Sequence, residues 1–275
     1  MKKLFLMIIF GGIFGGIFMI KECKKEAKVV LKNNYKLLLG PALLLMIFNA
    51  LSQLFLREYT FAILDSFMGS ITLFLYLTIK LLVVPLVTVK LFKVSKNCIN
   101  SENNPNCENQ NKSIKNIINI FLINLIPTSL TAIYSIAKSI NTSYMNSNTY
   151  TIILNTLNLF IFLVVNYKFF ACNYLAASGG NAMGNIKASF KVMRKNFGKY
   201  FLLSFSFLHW ELLAVGIYLV LLMLYGGFDN TNTYMEILLS FGCGIYFYLI
   251  PYKYLTYSIF INKLLKNHIS KNTNP

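Results

Sequence analysis

Acidic residues are scarce in this chain: 9 Asp and Glu stand against 26 Lys and Arg, a formal net charge of +17. No paired carboxylates offer general acid–base chemistry. Histidine is nearly missing, with His209 and His268 its two occurrences, which argues against histidine-based metal chemistry. There is no H-E-x-x-H, no G-x-S-x-G and no phosphate-binding glycine loop. These gaps exclude the common hydrolytic and nucleotide-driven classes, so the expectation is a non-enzyme without a cofactor or metal. The five cysteines, Cys23, Cys98, Cys107, Cys172 and Cys243, are odd in number and form no C-x-x-C. Cys98 and Cys107 share a polar stretch, 95–113, read as a loop that offers too few ligands for zinc. Free thiols facing a reducing cytoplasm are expected.

What the chain does have is apolar length. It is 56% hydrophobic and 13% charged, with a mean hydropathy of +0.57, and its apolar residues fall in runs. A helix needs roughly 20 apolar residues to cross a bilayer, and six runs qualify, at about 37–56, 69–92, 116–137, 150–172, 199–224 and 235–256. A shorter run, 4–20 (LFLMIIFGGIFGGIFMI), is about 25 Å long as a helix and precedes no small-x-small cleavage site. Gly11, Gly12, Gly15 and Gly16 form two overlapping G-x-x-x-G pairs there. They suit close approach by another helix, from a second copy or a membrane partner, or else a flexible anchor. The fold class expected is therefore all-α: a polytopic transmembrane helix bundle of six long spans. Residues 1–20 form a short hydrophobic segment, an anchor or an additional span, ahead of a membrane domain over 21–275.

The surplus of positive charge sits beside the apolar runs, not in one block. With no recognition motif to accompany it, nucleic-acid binding is excluded. At 100° per residue Lys21, Lys25, Lys28, Lys32 and Lys36 share one stripe, opposite Cys23, Ala27, Val30 and Leu31. Residues 181–197 repeat the design: Met183, Ile186, Phe190, Met193 and Phe197 form an apolar arc beside Lys187, Lys191, Arg194, Lys195 and Lys199. Both segments, at about 21–36 and 181–197, read as interfacial helices on the membrane surface. Lys25, Lys28, Lys32, Lys187, Lys191, Arg194 and Lys195 would touch anionic headgroups. Lysine-rich connections alternate with lysine-poor ones along the chain. The positive-inside rule then makes 21–36, the even-numbered connections and the C-terminus cytoplasmic, in a multi-pass protein of a bacterial cytoplasmic membrane. A spanning 4–20 would put Lys2 and Lys3 outside, against that rule, so an outside N-terminus and a re-entrant first run are both left open.

Charges inside spans are costly, roughly 2.5–3.5 kcal/mol on insertion scales, so each invites a partner. Lys80 and Glu211 fall near mid-span with opposite signs, and His209 is two residues from Glu211. The three are a candidate intramembrane cluster, with Lys80 paired to Glu211 either for packing or as a relay. Lys168 and Lys253 lie nearer span ends and can snorkel. Asn124, Thr128, Thr131 and Ser135 form a polar face in the third run, for helix–helix hydrogen bonds or for a cavity. Trp210 falls near mid-span, away from the depth of an interfacial belt.

Three stretches carry a family resemblance. ECKKEAKVVLKNNYKL, IKASFKVMRKNFGK with LSFSFLHWELL, and IPYKYLTYSIFINKL resemble the bacterial integral-membrane family called domain of unknown function 975, over about 22–265. Ser206, Phe207, Trp210, Leu212, Leu213, Pro251 and Tyr252 match its pattern, while His209 stands where the family has glycine. The resemblance implies six spans and brings no catalytic residue or substrate. Three functions fit: a scaffold or accessory protein contacting anionic lipids and membrane proteins; a transporter or channel subunit using Lys80, His209 and Glu211; and protection against membrane-active peptides or envelope stress.

Overall fold

The computed structural model describes residues 2–61, 66–101, 116–127, 129, 156, 164–165, 167–194, 196–224 and 244–273. All elements among the described residues are helical: α1 Lys2–Phe61, α2 Ser66–Thr78, a π-helical turn Ile79–Val83, α3 Val84–Ser101, α4 Asn116–Pro127, α5 Cys172–Ala176, α6 Ala182–Met193, α7 Phe197–Leu224 and α8 Ile245–Thr273. By length and composition two of the described stretches can cross a membrane, Gly15–Leu51 and Phe74–Asn100, and Asn116–Pro127 is a shorter apolar helix. In the first of these the apolar part follows the lysines, at 37–51. Thr128, Thr131, Ser135, Lys195, Cys107 and Cys243, with most of the fourth run and 235–243 of the sixth, lie outside the described residues.

Two helical segments joined at a kink, together α1, replace three pieces expected separately. The first apolar run, the basic stripe and the start of the first long run all belong to α1. Its one departure from helical geometry is Asn34, at φ −125° and ψ 16°. The Asn34 amide donates to the Val30 carbonyl at 3.1 Å, competing with the backbone bond an uninterrupted helix would make there. Downstream, the turn at Ile79–Val83 widens because the Val84 N–H bonds the Ile79 carbonyl. Pro85, which follows, has no N–H for Lys80. Residues 95–101 of the polar stretch read as a loop are helical. α3 continues to Ser101 and buries Cys98 on its inner face.

The chain divides into two compact units. The first comprises Met1–Met46, Leu91–Glu108 and Lys195–Pro275. Here α1 and α7 run parallel, since a Cβ at Gly16 would lie 3.4 Å from the side chains of Lys199 and Leu202 while Lys24 lies against Ser206 and Phe207. α8 runs antiparallel to both. Cys23, Ala27 and Leu31 of α1, Leu91 and Phe92 of α3, Leu203 and Phe207 of α7, and Leu255, Phe260 and Ile261 of α8 are buried. The Phe207 ring takes Tyr252 and Tyr257 edge-on, at 5.7 and 5.8 Å. The stripe opposite Lys21, Lys25, Lys28, Lys32 and Lys36 is thus buried as the periodicity implied, but against protein instead of lipid. On another side of α7, Phe197, Phe201 and Phe205 stack in an exposed ridge.

The second unit comprises Ile47–Lys90 and Asn109–Arg194. Gly179 and Gly180 turn the chain at φ 89° and 95°, backbone angles that glycine adopts without a Cβ penalty. The Asn181 side chain makes no capping bond to α6. Asn119 of α4 supplies that function from outside, accepting from the Ala182 N–H at 3.4 Å and donating to the Gly180 carbonyl at 3.0 Å. α6 buries Ala182, Ser189, Val192 and Met193, and Ser189 donates to the Lys168 carbonyl at 2.7 Å. Met183 and Phe190 instead stay exposed beside Lys187, Lys191 and Arg194. α7 begins at Phe197, so Gly198 lies inside its first turn.

Candidate functional site

Along α1 the lysines of the basic stripe cannot enter the core that Cys23 and Ala27 fill, so they border the seam with α7 and α8. There Lys21, Lys24, Lys25 and Lys28 line a groove of about 710 Å³ together with His209, Trp210, Tyr248 and Tyr252. A second groove of about 430 Å³ shares Lys28 and Tyr248 and adds Leu31, Lys32 and Tyr35. Lys24 is anchored more firmly than its neighbours. Its ammonium donates to the Ser206 carbonyl at 2.6 Å and sits 4.4 Å from the Phe207 ring centroid. Burial, then the nearby Lys28 charge, lowers its pKa. The groove's wall is fixed by Tyr35, which donates to the Phe247 carbonyl at 3.3 Å, and by Tyr252, which donates to the Lys24 carbonyl at 3.5 Å.

Carboxylates of this unit are engaged elsewhere. Among the described residues they are Glu22, Glu26 and Glu211. Glu211 pairs with Lys253 of α8 at 2.5 Å, and Lys263 bridges Glu22 at 3.3 Å and Glu26 at 2.7 Å. Burial opposes the Lys263 charge, but the Glu26 hydrogen bond and the surrounding negative groups raise its pKa above the ordinary lysine value. Beside it, burial pushes the Cys23 thiol up to about 12. Cys23 is therefore expected to resist maleimide at neutral pH in the folded chain and to react fully once the chain is unfolded in SDS, since the thiolate is the nucleophile. Peptide mass spectrometry reads this, and equal labelling in both states would contradict its burial.

The sequence-derived cluster is divided between the units. His209 and Glu211 belong to the first, where His209 lies by Trp210 with ring centroids 5.4 Å apart. Lys80 belongs to the second and donates to Asn49 at 3.4 Å from within the π-helical turn. The ion partner of Glu211 is Lys253, which snorkelling alone had seemed to explain. Of the polar face, Asn124 exchanges hydrogen bonds with Asn173 at 2.9 and 3.2 Å and also donates to the Ile120 carbonyl. That is the packing role of such a residue. Gly16 receives α7 of its own chain, while Gly15 faces open space. Lys25, Lys28, Lys32, Lys187, Lys191 and Arg194 are all exposed.

Sequence reasoning missed Lys24, Trp210, Tyr248 and Tyr252 as neighbours. Lys24 was within reach, being three residues from Lys21 and four from Lys28, the spacing of one helix face. The aromatic wall comes from α7 and α8 and left no local signal. Among the described residues no group of three or more His, Cys, Asp or Glu could hold a metal ion.

No curated protein and no solved structure matches the chain. A family model described as Protein of unknown function (DUF975) matches residues 19–268.

Proposed function

The chain belongs to the DUF975 family, and from that premise we propose that it is a six-span, non-enzymatic protein of the cytoplasmic membrane, a scaffold or accessory in type, whose lysine-bearing helix ends face anionic lipid and whose spans face other membrane proteins. The observation that carries this reading is the Glu211–Lys253 pair. It joins the inner ends of two uncharged runs, 212–228 and 237–252. The uncharged run of α1, from 37 to 56, begins just past the lysine stripe. Each is about 25 Å or longer as a helix, enough to reach across a bilayer with modest thinning.

On this reading the inner boundary of the fifth span lies near Glu211, not near 199, and the pair sits at the headgroup level. Exposure supports it. Leu37, Leu212 and Val220, past the boundary, leave 63%, 62% and 56% of their surface uncovered, as lipid-facing residues would. Charges at a boundary cost far less than charges at mid-depth, and a carboxylate already held by Lys253 suits a structural role better than a relay. Because α1 is unbroken from Lys2 to the kink at Asn34 and enters the membrane beyond that kink on this reading, Lys2 and Lys3 belong on the cytoplasmic side with Lys21 to Lys36.

Single cysteines in a chain whose five native cysteines are alanine test the boundary. A cysteine at Phe205 is expected to react with an impermeant maleimide in inside-out vesicles, one at Val220 to stay protected, and one at Asn230 to react in intact cells. An N-terminal tag should be shielded from protease in intact cells. Protection at Phe205 would return the boundary to 199, and labelling of Asn230 only from inside would invert the topology.

A further inference from the structure

We propose that the groove between Lys21, Lys24, Lys25 and Lys28 and the aromatic wall of His209, Trp210, Tyr248 and Tyr252 is a binding site for one anionic phospholipid, held by its phosphodiester. The inference rests on the membrane reading above and adds to it a defined ligand class and seat.

Charge is the first argument. Four lysines surround one concavity, and the carboxylates described in this unit make their ion pairs with Lys253 and Lys263. Like charges gathered around a half-buried ammonium favour a bound anion, and lysine–phosphate hydrogen bonds are charge-assisted. Lys24 is preset for this, because its ammonium is already positioned by the Ser206 carbonyl and the Phe207 face, which engage one of its three N–H donors in a hydrogen bond, while the other three lysines stay exposed.

Amphiphilic shape is the second argument, and it separates a lipid from a free anion. The groove is cationic toward α1 and aromatic toward α7 and α8. One and two turns past Trp210 on the same side of α7 come Leu213 and Ile217, exposed at 49% and 37%. An acyl chain leaving a phosphodiester at the lysines would follow that strip into the bilayer. Tryptophan and tyrosine at the junction of a charged and an apolar surface are the usual residues of the membrane–water interface. The volume of about 710 Å³ is of the size that small-molecule sites have.

Trp210 is the chain's only tryptophan, so the site carries its own reporter. The full chain, reconstituted in phosphatidylcholine nanodiscs, is titrated with phosphatidylglycerol or phosphatidylcholine brominated near the head of the acyl chain. Phosphatidylglycerol should quench Trp210 with at least about fivefold higher apparent affinity, the factor that one lysine near an anionic surface contributes. Lys21→Gln, Lys25→Gln and Lys28→Gln combined should make the two lipids equal. Lys90→Gln with Lys266→Gln, which removes two exposed charges that do not line the groove, should leave the preference intact.

Equal quenching in the unaltered chain would overturn the proposal, as would a preference that survives the triple change or disappears in the control pair. Abolition of the preference by inorganic phosphate at matched concentration would assign the groove to a free anion and overturn the lipid. Absence of quenching by either lipid would strike at the membrane reading beneath it, an outcome distinct from equal quenching.

Discussion

Replacing Phe207 with alanine is expected to lower the unfolding free energy by about 3–5 kcal/mol, the range for truncating a buried aromatic. Its ring is fully covered, takes Tyr252 and Tyr257 edge-on, and carries the Lys24 ammonium on its face. A cavity there removes contacts to α8 and α1 together, and neither helix can collapse into it without moving the Lys24–Ser206 bond. Phe205, two positions away and 59% exposed, is the control. Phe205→Ala should change stability by roughly 0.5 kcal/mol or less. Thermal unfolding in detergent, followed by circular dichroism, separates the two. Equal effects would mean that Phe207 is not at the centre of the packing between α1, α7 and α8.

Asn124→Ala should cost about 1–2 kcal/mol in the second unit, the penalty for stranding a buried amide in a helix interface. The side chain satisfies the Ile120 carbonyl and exchanges two bonds with Asn173. Removing it leaves the half-buried Asn173 amide without the two bonds it exchanges with Asn124. The double change with Asn173→Ala should then cost less than the sum of the single changes, because both halves of one exchange disappear together. Additive costs would show that the two amides do not depend on each other. A cavity-lining role for this part of the polar face predicts a different result, near-neutral stability with altered permeation.

How far the sequence could be read depended on the distance between interacting residues. The stripe of Lys21, Lys25, Lys28, Lys32 and Lys36 and the buried face opposite it were legible because both follow from one local period, whatever covers them. The helix over Ala182–Met193 was legible for the same reason. Its buried side was not, since Ser189 and Ala182 go inward through contacts with Lys168 and Asn119 that no periodicity encodes. Lys80 and Glu211 look like partners on charge and apparent depth alone. Depth inferred from run length is loose, however, because a helix can carry its apolar surface beyond a boundary when neighbouring helices cover it.

By itself, then, the chain's pattern of apolar runs and flanking lysines determined the helical class and the amphipathic faces, which rest on residues within a few turns of each other, and three separate motif stretches determined the family. Only the tertiary structure decided which charges meet. Lys253 reaches Glu211 across 42 residues, and Lys263 reaches Glu26 across 237. The wall that turns a row of lysines into a groove arrives from helices that are remote in the chain. Pairing of that kind depends on which helices pack side by side and in what register. Packing selects that register by summing many small contacts over the whole interface, so no single stretch of sequence contains it.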